Sequence, residues 1–229
     1  MSERFYELAL TTLEIEKTHT DEQYAEWDDF SISQASDQVP ATRGLHIGFA
    51  APSREHVGEF WHAGTDAGYR DDGAPGPRPQ YRDDYYGSFL LDPDGNSAEA
   101  VHHGAMRSGG WIDHLWIRVA DRAASRAFYE TIAPYAGFRL ESDLPDRTQF
   151  VGESGSFSIV DGRATAHLHM AFAAGDDAQV DAFHEAATSA GYRDHGAPGE
   201  RPEYHPGYYG AYVLDPDGNN VEVVNHNRG

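Results

Sequence analysis

The chain has 229 residues and carries 38 Asp and Glu against 17 Lys and Arg, a formal net charge of −21 at pH 7. Such a charge disfavours nucleic acid and anionic membranes as partners, and the absence of cysteine excludes disulfides, thiolate metal sites and cysteine nucleophiles. No apolar run approaches the ~18–20 residues of a membrane span and the N-terminus lacks a signal-peptide core, so a cytoplasmic location is expected.

In chain order, residues 2 to about 12 place Phe5, Leu8 and Ala9 at helical spacing. Short strands are expected between Glu22 and Ser33, and a firm strand over Arg43–Ala50, where Leu45, Ile47 and Phe49 alternate with His46 and Gly48. Ser53 is placed to cap a helix that ends near Ala67, with Gly68 beyond it. Residues 70–84 are rich in Gly, Pro and Asp and read as a loop. The stretch from Tyr85 to Glu99 reads as two strands joined at Asp92-Pro93-Asp94-Gly95-Asn96, where glycine supplies a position free to take φ > 0. Residues 105–110 read as a linker. Then come a strand over Ile112–Val119, a helix capped by Asp121 with Ala124, Phe128 and Ile132 inward, and short strands over about 138–160. A strand over Ala166–Ala173 and a helix over Asp176–Ala190 with Val180, Phe183 and Ala187 inward follow. A loop over 194–207 and a second hairpin, Tyr208 to Val224, close the chain.

The second hairpin repeats the first. Tyr85-Tyr86-Gly87 and Asp92-Pro93-Asp94-Gly95-Asn96 return as Tyr208-Tyr209-Gly210 and Asp215-Pro216-Asp217-Gly218-Asn219, at an offset of 222 − 99 = 123 residues. The same offset pairs Leu45-His46 with Leu168-His169, and Phe5-Tyr6-Glu7 with Phe128-Tyr129-Glu130. The chain is therefore two copies of one unit, with expected boundaries of 1–104 and 111–229 about the linker 105–110. Each copy runs β-α-β-β-β twice. The counterpart of His114 falls at 114 − 123 = −9, so the first copy is expected to lack its opening strand.

Polar residues on apolar strands carry the chemistry. Glu222 sits in a Val-rich run, and a carboxylate directed into a sheet is costly unless a cation or a donor meets it. His114 and His169 also interrupt apolar strands. Two imidazoles and one carboxylate from separate strands suit a facial divalent-metal site with open positions for substrate. The donor set admits Fe, Mn, Ni, Zn or Co. His167, two residues before His169, is a candidate partner behind the ligands.

These segments resemble the vicinal oxygen chelate superfamily, which includes glyoxalase I, bleomycin-resistance proteins and extradiol dioxygenases. Ile112-Asp113-His114-Leu115-Trp116-Ile117-Arg118-Val119, Leu168-His169-Met170-Ala171-Phe172 and the Asp-Pro-Asp-Gly turn before Glu222 carry the resemblance. It implies an α+β fold of tandem paired βαβββ modules, each unit curling into a metal-binding cup. It also implies a divalent metal on His114, His169 and Glu222, with an alternative swapped site formed by His46 and Glu99 with His114. A metal-dependent enzyme acting on a small oxygen-chelating substrate is the function implied, a lyase, isomerase or ring-cleaving dioxygenase. His205 and Tyr212 stand at spacings similar to those of extradiol dioxygenases and are the candidate proton carriers. Glyoxalase I adds a second glutamate on the strand before the central histidine, where this chain has Phe157-Ser158-Ile159-Val160. The alternative functions are sequestration of a small aromatic molecule, using Trp111, Trp116 and the tyrosines, and an interaction scaffold with an open sheet edge. A monomer that is a pseudo-dimer of units, or a homodimer, is expected.

Overall fold

A computed structural model describes residues 1–106 and 109–227. Its contacts divide the chain into two compact units, Met1–Trp116 with Ser154–Ser156, and Ile117–Glu153 with Phe157–Gly229. These units do not coincide with the sequence repeat. Ile112–Trp116, read as the start of the second copy, is counted with the first unit. Of the expected linker, Arg107 and Ser108 lie outside the described residues.

Unit 1 begins with helix α1 (Ser2–Thr11) and a small sheet of β1 (His19–Thr20), β2 (Tyr24–Trp27) and β3 (Phe30–Ser33). Then come β4 (His46–Ala50), α2 (Arg54–Asp66), β5 (Arg70–Pro77), β6 (Tyr86–Leu91), β7 (Ser97–His102) and β8 (Ile112–Val119), whose residues up to Trp116 belong here. The strand order is β5-β6-β7-β4-β8. Ser53 caps α2 as its sequence suggests, its hydroxyl accepting from the Glu55 and His56 amides, and Gly68 follows with φ +86°. The apolar face of α1 turns Phe5, Tyr6, Ala9 and Leu10 inward, Tyr6 and Leu10 taking part where Leu8 was expected. They meet Trp27, Phe49, Val57 and Phe60 in one core. Each large apolar side chain among them, fully buried, contributes roughly 1.5–3 kcal/mol.

Residues 70–77, expected as loop, form the edge strand β5. Its register against β6 slips between Asp71 and Gly73 and again between Gly73 and Gly76. An edge strand with bulges tolerates the Gly and Pro that a central strand excludes, which is why composition misleads here. The same correction applies in unit 2, where residues expected in the loop 194–207 open with β13 (Arg193–Glu200), bulged at the equivalent places.

Unit 2 holds α3 (Arg122–Ile132), β9 (Phe138–Asp143), β10 (Thr148–Gly152), β11 (Ser156–Asp161), β12 (His169–Ala173), α4 (Asp177–Ser189), β13, β14 (Tyr209–Leu214) and β15 (Asn220–Asn225). Its second sheet has the order β12-β15-β14-β13. Asp121 and Asp176 cap α3 and α4. Phe128, Tyr129, Ile132, Phe150, Val180 and Phe183 are fully buried in its core, Tyr129 standing where Ala124 was expected.

The repeat extends to single hydrogen bonds. The Tyr6 hydroxyl donates to Asp92 in unit 1, and the Tyr129 hydroxyl to Asp215 in unit 2. Asp92 Oδ1 accepts from the amides of Asp94 and Asn96, as Asp215 Oδ1 does from Asp217 and Asn219. Asn96 and Asn219 then accept from the amides of Leu45 and Leu168, which tie each hairpin turn to the strand that carries a histidine. This is the α+β arrangement of βαβββ modules expected from the sequence. No helix among the described residues is long and apolar enough to cross a membrane.

Candidate metal centre

Three adjacent strands of unit 1 build the site by register. Gly48 on β4 lies opposite Glu99 on the parallel strand β7 and opposite His114 on the antiparallel strand β8. His46 is two residues before Gly48 and therefore shares its face. Gly48 leaves that face open. A Cβ there would overlap the His114 ring. Gly87 plays the same part beneath Glu99, where a Cβ would meet its Oε1.

The three side chains converge over the gap. His46 Nε2 is 3.0 Å from Glu99 Oε2, His114 Nε2 is 3.2 Å from the same oxygen, and the two Nε2 atoms are 3.3 Å apart. Two ligands at right angles on bonds of about 2.1 Å stand about 3.0 Å apart, and a tetrahedral pair about 3.4 Å. The triangle is thus the size of one face of a coordination sphere. Among the described residues it is the group of three or more His, Cys, Asp or Glu able to hold a metal ion.

Each ligand is oriented from behind. The Ser97 hydroxyl donates to Asp72 at 2.8 Å, so it accepts from His46 Nδ1 at 3.1 Å, and the lone pair of Nε2 faces the centre. Asp113 Oδ2 lies 2.9 Å from His114 Nδ1 and fixes the same tautomer. The Tyr85 hydroxyl donates to Glu99 Oε1 at 2.7 Å, which leaves Oε2 to the centre. Sequence reading missed Asp113, Tyr85 and Gly48. The repeated Tyr-Tyr-Gly before each glutamate was the available signal for Tyr85.

The electrostatics favour a cation. Burial opposes a charge on His114, but Asp113 and Glu99 outweigh it and push the imidazole up to about 9. Burial raises Glu99, yet His114 and His46 outweigh that and hold it below the ordinary carboxylate value. Burial likewise opposes the charge of Asp113, and His103 and His114 hold it well below that range. Burial and the neighbouring Glu99 push the Tyr85 hydroxyl far above its usual value, so it remains a donor. The same negative surroundings that draw a proton onto this imidazole suit a divalent ion. The donors, their spacing and their tautomers fit such an ion.

The grouping favoured from the sequence, His114 with His169 and Glu222, is not the one assembled. His114 stands with His46 and Glu99, because β8 pairs with β4. His169 and Glu222 meet in unit 2, at 2.9 Å. There Glu222 accepts from Tyr208 as Glu99 does from Tyr85. Among the described residues, however, β12 has a strand neighbour on one side only, β15, and the His169 side chain is 50% exposed against 16% for His46. The open edge expected in unit 1 is thus found at β12.

His205 and Tyr212 lie with this second pair. His205 Nε2 is 2.9 Å from His226 Nδ1, and Tyr212 packs beside His169 with its buried hydroxyl lacking a hydrogen-bond partner. His167 precedes β12, exposed, with φ +59°.

Fold and donor set together define a protein of paired βαβββ modules with a His–Glu–His group that could hold a metal ion. The model of the Glyoxalase/Bleomycin resistance protein/Dioxygenase superfamily matches residues 111–223, and the chain carries a domain of this superfamily, also called the vicinal oxygen chelate superfamily. No curated protein matches the sequence. A point mutant of glyoxalase I from Zea mays is 20% identical, covers 98% of this chain and 87% of that one, and has a TM-score of 0.68. The glyoxalase I from Zea mays without that change covers the same shares at 20% identity with a TM-score of 0.65. A glyoxalase/bleomycin resistance protein from Albidiferax ferrireducens T118 is 28% identical over 49% of this chain and 97% of that one, with a TM-score of 0.45. At 20% identity the likeness to the maize protein speaks for the fold.

Proposed function

We propose that the protein is a divalent-metal-dependent enzyme acting on a small substrate that presents two neighbouring oxygens, with His46, Glu99 and His114 as the metal ligands. The observation that carries this reading is the triangle of donor atoms, 3.0–3.3 Å on each side. Three protein ligands on one face leave the remaining positions to substrate and water. When bound, the ion supplies Lewis-acid polarisation of the substrate oxygens. The chain's own contributions are separate. Tyr85 keeps Glu99 to one oxygen, Asp113 aims His114, and Ser97 aims His46. Phe89 and Trp116 flank His46, with ring centroids at 5.9 and 6.5 Å, and the exposed Tyr81 stands 6.0 Å from Trp116. These rings form an apolar wall suited to a planar group beside the chelating oxygens.

His205 and Tyr212, the proton carriers expected from the sequence, lie in unit 2 beside His169 and His226, and this reading gives them no part at the His46–Glu99–His114 centre. The same aromatic wall favours an alternative, sequestration of an aromatic molecule without turnover. Elemental analysis beside His46→Ala, His114→Ala and His169→Ala tests the site. The expected result is about one ion per chain, lost in the first two variants and kept in the third. Metal kept in both His46→Ala and His114→Ala overturns the site. Turnover of α-dicarbonyl adducts or catechols that stops on chelation supports the enzyme, and binding that survives chelation without turnover supports sequestration.

A further inference from the structure

Behind the ligands lies a buried histidine that neither the repeat nor the metal site explains. His103 is 8% exposed and Asp113 6%. The Ala105 amide donates to His103 Nδ1 at 3.2 Å, which puts the ring proton on Nε2. That nitrogen lies 3.3 Å from Asp113 Oδ1, an ion-pair contact rather than an aligned hydrogen bond, while Asp113 Oδ2 takes the His114 Nδ1 proton. The same imidazole stacks on Tyr85, centroids 5.7 Å apart and planes at 21°, and Tyr85 donates to Glu99. One side chain thus backs both the arm that aims His114 and the arm that holds Glu99.

The counterpart in unit 2 is built otherwise. His226, at 103 + 123 in sequence, stands edge-on to Tyr208 at 89° and pairs with His205. Unit 1 has Arg82 where unit 2 has His205, and Arg82 turns to Asp84 at 3.1 Å. His103 is thereby left to Asp113.

We propose that His103 is a positioning residue of the metal centre, which holds Asp113 so that His114 presents Nε2 at the ligating angle. This rests on the assignment of His46, Glu99 and His114 as ligands. The test is cobalt(II) binding to the full chain, read as Kd by chelator competition and as the d–d absorption spectrum. His103→Phe keeps the ring stack on Tyr85 and removes the polar N–H beside Asp113, whereas His103→Gln keeps an N–H near the position of Nε2. We expect His103→Phe to bind cobalt roughly 10–100-fold more weakly with an altered spectrum, as loss of an outer partner generally does. His103→Gln should stay within about threefold of the wild type, with its spectrum.

Wild-type affinity and spectrum in His103→Phe overturn the proposal, and so does equal weakening in both variants, which marks a packing role. Should His103→Phe fail to fold, His103→Leu removes the same N–H and, like His103→Gln, lacks the ring. A tenfold or greater loss with an altered spectrum in that variant supports the proposal, and unchanged binding overturns it. Wild-type protein that takes up no cobalt overturns the ligand assignment itself, and this inference with it.

Discussion

The two histidine–glutamate pairs of this chain are the same device in two settings. His46–Glu99 and His169–Glu222 stand 123 residues apart on equivalent strands, each glutamate held from behind by an equivalent tyrosine. What separates them is the far side of the histidine strand. β4 is flanked by β8, which brings His114, and Gly48 clears the space for its ring. β12 has no such neighbour among the described residues, and its residue equivalent to Gly48 is Ala171. A carboxylate and an imidazole at a fixed offset thus make half of the candidate site. A third strand and an absent side chain make the rest.

The largest effect should come from the ligand that only one pair possesses. His114→Ala is expected to weaken metal binding by more than about a hundredfold, beyond what loss of an outer partner does, while His169→Ala leaves the stoichiometry unchanged. Equal losses in the two would erase the distinction between the units. Next is Gly48→Ala, whose added methyl overlaps the His114 ring. Its expected cost is about 1–3 kcal/mol of stability from overpacking, read by denaturant titration, with metal lost and circular dichroism preserved. Metal retained in Gly48→Ala would mean that His114 reaches the centre by another path.

The third effect is on pH. The imidazole of His114 sits near 9, so below that value a metal ion must displace its proton. Affinity is therefore expected to rise roughly tenfold per pH unit from neutrality to about 9 and to level off above, with close to one proton released per ion bound at pH 7. Calorimetry in buffers of different ionisation enthalpy measures the proton directly. No release at pH 7 would contradict the shift. The smallest effect compares the two tyrosines. Tyr85→Phe and Tyr208→Phe should each cost about 1–3 kcal/mol, because each leaves a buried carboxylate oxygen without its donor. Only Tyr85→Phe should also weaken metal binding, by roughly tenfold. Matched stability losses with a metal effect confined to Tyr85 would sharpen the division between the units.

Local sequence determined much of this protein. The 123-residue offset revealed the duplication, Ser53, Asp121 and Asp176 marked helix starts, and the Asp-Pro-Asp-Gly-Asn turns placed both glutamates on strands. Those features depend on neighbours within a few residues, where capping, turn chemistry and periodicity act. The candidate ligands were legible for the same reason, since His46, Glu99, His114, His169 and Glu222 each break an apolar pattern. Tertiary structure alone decided which of them meet. Strand pairing between β4 and β8 joins residues 68 positions apart, and nothing in the alternation of either strand names its partner. The bulged edge strands β5 and β13 escaped composition because an edge needs only one good ladder. Likewise Gly48 and His103 have meaning only once the ring of His114 lies across the one and Asp113 reaches the other.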